Sequence, residues 1–261
     1  MKLIEQNAEI ITQGFNLEDI YKNIEVGARN CYQSTPTSVT PKEFVERLIK
    51  ANHYSPLEHG TVYLKFHSSS APDALFYFDN PYSSVTYNEW GYFITTNYRV
   101  LIENHLLDHL KYLCEPTIFH IKRVTIKVTT SIAISREFNR HRVLSISESS
   151  TRYCNFSKDK FGNEVTFIKP HWYDSADAGV QNIFNKRLRN AEIGYMQLID
   201  EGFRAEDARA ILPLDTATTV VYTTTVDNWD TILNMRSEPA AHPDARILSD
   251  LIKNEFKIKG I

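Results

Sequence analysis

The chain has 261 residues, of which 42% are hydrophobic and 23% charged, a composition typical of globular proteins with a sizeable core. Its formal net charge of −3 at pH 7 argues against a polynucleotide-binding surface, although it is compatible with a local basic pocket for a small anion. Residues 1–14 include Glu5 and Glu9 and have no long apolar core, so we expect no signal peptide.

The sequence also predicts a compartment. No stretch reaches the roughly eighteen apolar residues of a membrane span, so we expect no membrane partner. The cysteines Cys31, Cys114 and Cys154 are far apart and form no Cys-x-x-Cys pair. Such cysteines are typical of free thiols in a reducing environment, which predicts a cytoplasmic protein without disulfides.

Two amphipathic helices are predicted near the N-terminus. Apolar residues recur at helical spacing from Leu17 to Ala28, directly after Asn16, a suitable N-cap residue. Thr40 and Glu43 have the spacing of a capping box, and Pro41 suits the first helical position between them. The second helix leads into the next polar segment.

That segment is His53-Tyr54-Ser55-Pro56-Leu57-Glu58-His59, called here the His53–His59 run. Two histidines and a glutamate suggest a metal site. However, their spacing is not that of a helical His-x-x-x-His pair, and Pro56 prevents a regular helix. We therefore predict no metal here, and structural polar contacts are the simpler alternative.

The middle of the chain predicts strands and one helix. Alternating apolar residues indicate a strand from Thr61 to Phe66, and the aromatic-rich region from Leu75 to Tyr98 is punctuated by turns at Asn80-Pro81 and 88–91. A helix is predicted from Tyr98 to about Cys114. Because no lysine or arginine stripe accompanies the aromatic residues, they indicate core or subunit contacts in preference to base stacking.

The segment Arg140–Tyr153, called here the central motif, carries most of the polar chemistry. It contains three arginines, a histidine, Glu148 and five serine or threonine hydroxyls, and an alternating strand from Val124 to Ser135 precedes it. Guanidinium groups suit phosphate, and a carboxylate among cations suits ribose hydroxyls or ring N–H groups. The central motif thus indicates a nucleotide site, the alternative being a solvated basic loop paired with Glu137 and Glu148.

The C-terminal part alternates between predicted helices and a strand. A long amphipathic helix is expected from Asp174 to Glu201, with Gly202 after its end. β-branched residues predict a strand over 218–226, a helix should carry Arg236, and a last helix should begin near Pro243. The missing Gly-x-Gly-x-x-Gly argues against a Rossmann-type dinucleotide site.

Arg140-His141-Arg142, followed by Ser150 and Arg152, resembles the signature of the flavin-dependent thymidylate synthases. The His53–His59 run, the Ala-Arg-x-x-Leu-Pro segment at 208–213 and the Leu-x-x-Arg helix at 233–236 resemble three further segments of that family. The family methylates dUMP at C5, with methylenetetrahydrofolate as carbon donor, bound FAD as hydride carrier and NADPH as reductant.

The resemblance implies a role for each matching residue. Arg236 would be the catalytic residue, because its cation would lie against the pyrimidine. The implied dUMP contacts are Arg140, Glu148, Ser149, Ser150, Thr151, Arg152, Arg209 and Arg236. The implied FAD contacts are His53, Ser55, Glu58, Arg140, His141, Arg142, Glu148, Thr231 and His242.

Several positions depart from the family pattern. Ser147 and Thr225 stand where asparagine is usual, Glu137 where glutamine is common, and Thr231 where asparagine or histidine is usual. His59 and Arg140 are also much farther apart than in the family, which predicts an insertion at about 67–123.

The expected fold is a single α+β domain over 1–261, with helices packed on a mainly antiparallel sheet and a non-Rossmann flavin site. By resemblance it would form a homotetramer with shared active sites. Its partners would be dUMP, folate and NADPH, with no nucleic-acid polymer. The alternative function is a non-catalytic nucleotide-sensing module that uses the same basic pocket, and a metal-dependent nucleotide hydrolase is a further candidate.

Overall fold

The computed structural model describes residues 1–36, 38–67 and 71–261. Thr37 and residues 68–70 lie outside the described residues, and the latter belong to the predicted insertion. Helices and mainly antiparallel strands are combined, so the predicted α+β class is confirmed. Within the described part, no helix is both long and apolar enough to cross a membrane.

The N-terminal elements begin where their capping residues predict. They are β1 (Lys2–Ile4), β2 (Asn7–Ile11), α1 (Leu17–Tyr32) and α2 (Pro41–Lys50). The side chain of Asn16 accepts a hydrogen bond from the Asp19 N–H, and the capping box between Thr40 and Glu43 is complete. Both predicted helices are confirmed.

The next elements are β3 (Thr61–Phe66), α3 (Ala71–Leu75), β4 (Ser84–Asn88), β5 (Gly91–Asn97) and α4 (Tyr98–Glu103). The three strands form an antiparallel sheet in the order β3-β5-β4. Because β3 pairs with β5 along its whole length, the predicted insertion shares a sheet with the strand that precedes it. Its apolar residues also share one core with α1 and α2.

The helix predicted from Tyr98 to Cys114 is wrong in its length. α4 ends at Glu103, and His105 then adopts a left-handed conformation with φ of 58°. A short 3₁₀ helix, Leu107–Tyr112, continues the chain. Helical spacing of apolar residues persists through the break, since both short helices bury residues in the same core.

The strand predicted from Val124 to Ser135 is also too long. β6 covers Arg123–Ser131, and α5 covers Ile132–Phe138. The Ser131 hydroxyl accepts a hydrogen bond from the Ile134 N–H at 3.3 Å, which starts the helix at this point. The alternation of Ile132 and Ile134 therefore belongs to a helical turn.

The central sheet has four antiparallel strands in the order β2-β6-β9-β7. Its remaining strands are β7 (Ser145–Glu148) and β9 (Ala217–Thr225). One face packs against α5, α8 (Val226–Ser237) and α9 (Pro243–Lys259) around the fully buried Trp229. The strand predicted at 218–226 and the two C-terminal helices are confirmed.

A smaller apolar cluster lies around the long helix. It involves β8 (Thr166–Ile168), which pairs in parallel with β1, and α6 (Ala178–Asp200) and α7 (Ala205–Ala208). α6 begins four residues later than predicted from Asp174, because the Asp177 carboxylate caps it by accepting from the Val180 N–H at 3.0 Å. Gly202 follows its end with φ of 89°, as predicted.

Candidate functional site

The central motif forms a loop, a strand and a turn. Arg140 to Leu144 connect α5 to β7, which pairs antiparallel with β9 over Ser145–Glu148. The turn after β7 presents the residues from Ser149 to Tyr153. The two ends of the motif are thus separated by the four residues of β7, roughly 13 Å at about 3.3 Å per residue.

At the first end, Arg236 is held by Glu137 and His141. Its Nη1 donates to the Glu137 Oε2 at 3.0 Å, and its Nη2 donates to the Glu137 carbonyl at 2.7 Å. Its Nε donates to the His141 Nε2 at 3.0 Å. The Arg236 side chain is only 15% exposed, so this geometry aims one cation from α8 at the central motif.

His141 has a defined protonation state in this arrangement. Since its Nε2 accepts from Arg236, the ring is neutral and carries its proton on Nδ1. Burial lowers the pKa of His141, and the positive charges of Arg236 and Arg140 lower it further. The ion pair with Arg236 also gives Glu137 a role: it is the counterion of the predicted catalytic arginine. From the sequence alone Glu137 was only a departure from the family pattern.

The carboxylate of Glu148 is surrounded by donors from its own chain. Its Oε1 accepts from the Ser135 hydroxyl at 2.7 Å and from the Thr218 hydroxyl at 3.1 Å. Its Oε2 accepts from the Asn139 amide at 3.0 Å. Both oxygens are thus engaged, and a ribose hydroxyl or ring N–H would have to share them.

At the second end, a cluster forms around Glu206 on α7. The Arg152 Nε donates to the Glu206 carboxylate at 2.5 Å, and Arg204 donates to the same carboxylate at 2.7 Å. Arg209 donates from Nη1 to the Thr151 hydroxyl at 3.1 Å. Of the predicted dUMP contacts, Arg152 is therefore held by a carboxylate that sequence reasoning missed, and Arg209 is bonded to Thr151.

Ser149 and Ser150 belong to the second end, directly after β7. The Ser149 hydroxyl is 3.0 Å from the Thr218 hydroxyl, and the Ser150 N–H donates to the Cys31 carbonyl at 3.0 Å. Ser149 and Thr151 line a cavity of about 420 Å³, together with Lys160. No hydrogen bond or ion pair between described residues joins the Arg152 cluster directly to Arg236.

The remaining predicted cations and polar groups differ in their availability. Arg140 is exposed and has no hydrogen bond or ion pair with any residue that the structure describes. Arg142 donates to the carbonyls of Asn139 and His141, within its own loop. Thr231 is exposed and donates to the Asp227 carbonyl in its own helix.

His242 has a structural role in addition to its predicted one. Its Nδ1 accepts from the Asp244 N–H at 3.2 Å and so caps α9. The His171 ring packs edge-on against it, with centroids 5.9 Å apart. A contact of His242 with FAD would use the other ring nitrogen.

The His53–His59 run forms a short 3₁₀ helix over Ser55–His59. His53 is partly exposed and Ser55 is exposed. Glu58 accepts from the Arg99 Nη1 at 2.7 Å, and Arg99 belongs to the predicted insertion. Because Arg99 is 41 positions from Glu58, no local sequence pattern predicted this ion pair.

His59 joins this run to the central sheet. Its ring is fully buried, with Nδ1 2.8 Å from the Thr223 hydroxyl and Nε2 2.9 Å from the Ser147 hydroxyl. Burial lowers the pKa of His59 to about 3, with Arg123 adding to the shift. Ser147, which replaces the usual asparagine, is thus bonded to a histidine of the chain itself.

Among the described residues, no group of three or more His, Cys, Asp or Glu side chains is arranged to hold a metal ion. All three cysteines are free, as predicted.

The family model described as thymidylate synthase complementing protein matches residues 84–259, more than half of the chain. The chain belongs to this family. The matched residues include the central motif, Arg209 and Arg236, and they begin inside the predicted insertion. The His53–His59 run lies outside them, so its flavin contacts stay predictions.

Several curated relatives are named flavin-dependent thymidylate synthase. The Geobacter sulfurreducens protein is 33% identical over 93 residues, which cover 36% of this chain and 38% of that protein. The Synechocystis sp. protein is 27% identical over 137 residues, covering 50% of this chain and 64% of that protein. The Thermus thermophilus protein is 25% identical over 164 residues, covering 59% and 60%.

The predicted membership in this enzyme family is therefore confirmed. The chain spans less than two thirds of the length of each of these relatives. The relatives' name describes flavin-dependent synthesis of thymidylate by those proteins.

Proposed function

We propose that this protein converts dUMP to dTMP by reductive methylation, with methylenetetrahydrofolate as carbon donor, FAD as hydride carrier and NADPH as reductant. The observation that carries this proposal is Arg236, held by Glu137 and His141 beside the central motif within the matched family region. One cation fixed at such a position suits a reaction in which negative charge develops on a pyrimidine.

Arg236 would act on the electronic state of uracil. A guanidinium near N3 and O2 favours the anionic form of the ring and raises electron density at C5. Glu137 opposes this effect, because it neutralises part of the positive charge of Arg236. We infer that dUMP binding weakens the ion pair between Glu137 and Arg236, which would leave the cation facing the substrate.

The second end of the central motif would anchor the nucleotide. Arg152 and Arg209 provide exposed guanidinium groups, and Ser149, Ser150 and Thr151 provide hydroxyls beside them. This donor set suits a phosphate monoester and a sugar. Glu206 would hold Arg152 in place, and Glu148 would accept from the nucleotide by sharing its present donors.

The donor set also fits an anionic flavin dinucleotide. Arg140 is an exposed cation without a described partner, Ser55 is exposed and His53 is partly exposed. We assign the flavin to these residues and to Glu58, His141, Arg142, Glu148, Thr231 and His242. Bound flavin would supply the hydride, while the protein orients it and excludes water.

Two ends that are separate within one chain favour an active site completed by another subunit. We therefore propose a homotetramer with shared sites, acting in the cytoplasm on small molecules, without nucleic-acid or membrane partners. The flavin site would be of a non-Rossmann type, because the chain has no Gly-x-Gly-x-x-Gly.

An absorbance spectrum of the purified protein incubated with FAD tests this function. We expect oxidised-flavin bands that are retained after desalting and that bleach under anaerobic NADPH, faster when dUMP is present. Added methylenetetrahydrofolate should then yield dTMP, and a reaction without the folate is the control. Flavin that fails to bind would refute the synthase assignment, and nucleotide binding without turnover would favour the sensing module.

A further inference from the structure

A cleft of about 200 Å³ lies between the three-stranded sheet and the edge of the central sheet. One wall comes from the predicted insertion, with Pro81, Tyr82, Ser83, Ser84, Thr95 and Asn97. Across from it are Arg123, Val143, Ser145, Thr224, Thr225 and Asn228. Arg123 is the charged member of this set, and no carboxylate is among these described lining residues.

Arg123 lies where three segments of the chain meet. Its Nη2 donates to the Glu58 carbonyl at 3.1 Å and to the Ser145 hydroxyl at 3.2 Å. Its Nη1 donates to the Thr61 hydroxyl at 3.3 Å and to the Thr96 carbonyl at 3.4 Å. One guanidinium therefore contacts the His53–His59 run, the central motif and the predicted insertion.

The positive charge of Arg123 has no close counterion. All four of its acceptors are neutral, and no described carboxylate forms an ion pair with it. The Glu58 carboxylate is instead bonded to Arg99 at 2.7 Å. Burial lowers the pKa of Arg123 to about 10, so the group is still protonated at neutral pH. A partly buried cation without a close counterion is costly, and an anion in the cleft would offset that cost.

Thr95 gives an independent indication of a ligand. Its side chain is 2% exposed, and its Oγ1 has no hydrogen-bond partner among the described residues. Buried hydroxyls in proteins are normally hydrogen-bonded. The same residue lines the cleft that contains Arg123, so an acceptor placed in this cleft would satisfy both groups.

We propose that this cleft binds the diphosphate of a dinucleotide, with Arg123 as its cation and Thr95 as a hydrogen-bond donor. This inference rests on the proposed function, which provides two dinucleotides, FAD and NADPH. Arg123 joins the two segments assigned to flavin, and Ser83 and Ser84 line the same cleft. The predicted insertion would then form one wall of a cofactor site.

Binding titrations with FAD and with NADPH test the proposal. Flavin fluorescence and nicotinamide fluorescence are the readouts. Arg123→Gln removes the cation and should weaken binding of one dinucleotide at least about tenfold, because a charge-assisted hydrogen bond is lost. Thr95→Val should weaken the same dinucleotide about threefold or more. Lys122→Gln is the matched control. It removes one exposed positive charge next to Arg123 in the sequence and should leave both affinities unchanged.

Thr95→Val also keeps the test valid if Arg123→Gln does not fold. Its hydroxyl has no described partner, so the unliganded variant should unfold at the same urea concentration as the wild type or a higher one. A loss confined to FAD assigns the cleft to the cofactor, and a loss confined to NADPH assigns it to the reductant. If both folded variants bind both dinucleotides with wild-type affinity, the inference about the cleft is overturned and the proposed function is unaffected. A wild-type protein that binds neither would overturn the proposed function as well.

Discussion

Replacing His59 with glutamine removes a buried titratable group from the junction between the His53–His59 run and the central sheet. The His59 ring bridges the hydroxyls of Thr223 and Ser147 at 2.8 and 2.9 Å. A glutamine amide has one donor group and one acceptor, so it can satisfy both hydroxyls while remaining neutral at every pH. Gly27 lies directly against the ring, and a side chain of similar size is therefore needed.

The effect on stability follows from the two pKa values of His59. In the folded protein the pKa is about 3, and its ordinary value is 6.5. Below about pH 6.5 the unfolded chain takes up a proton that the folded protein does not bind. Well below pH 6.5 the free energy of unfolding should then fall by about 1.4 kcal/mol per pH unit, which integrates to about 2.3 kcal/mol between pH 6.5 and 4.5.

Urea unfolding of the cofactor-free protein at several pH values between about 7 and 4.5 measures this loss. Other histidines and carboxylates titrate in both proteins, so the difference between wild type and His59→Gln isolates the contribution of His59. We expect the stability of the variant to decline less steeply, by about 1.4 kcal/mol per unit. Parallel pH profiles of the two proteins would refute the buried, neutral state of His59.

Three further changes test separate parts of the structure. Arg236→Ala should leave FAD bound and abolish dTMP formation, because it removes the cation proposed to face the pyrimidine; unchanged product formation would contradict its role. Glu137→Gln should lower the KM for dUMP about threefold or more, since Arg236 loses its counterion, and a higher KM would contradict this interpretation. Thr40→Ala should lower the free energy of unfolding by about 1 kcal/mol, with Ser38→Ala, which lies outside the helix, as control; equal urea midpoints for Thr40→Ala and wild type would argue against the cap.

Local signals predicted most of the fold. Helix starts at Leu17 and Pro41 were recognisable because a cap needs only residues within one turn. The strands at 61–66 and 218–226 were recognisable from alternation and β-branched content. The errors also have local causes. The left-handed backbone at His105 ends one helix, and Ser131 caps the start of another. Both interrupt patterns that look continuous in the sequence.

Motif spacing revealed which residue types are present for nucleotide chemistry and in what order, because spacing is a property of the chain. The partners of these residues became known from the folded structure. Glu137 neutralises Arg236 across ninety-nine positions, and His59 bonds Ser147 across eighty-eight. Arg123 showed no motif at all, and its uncompensated charge became visible only when folding placed it between two sheets. Contacts so distant in sequence depend on strand pairing and packing, which local propensity does not encode.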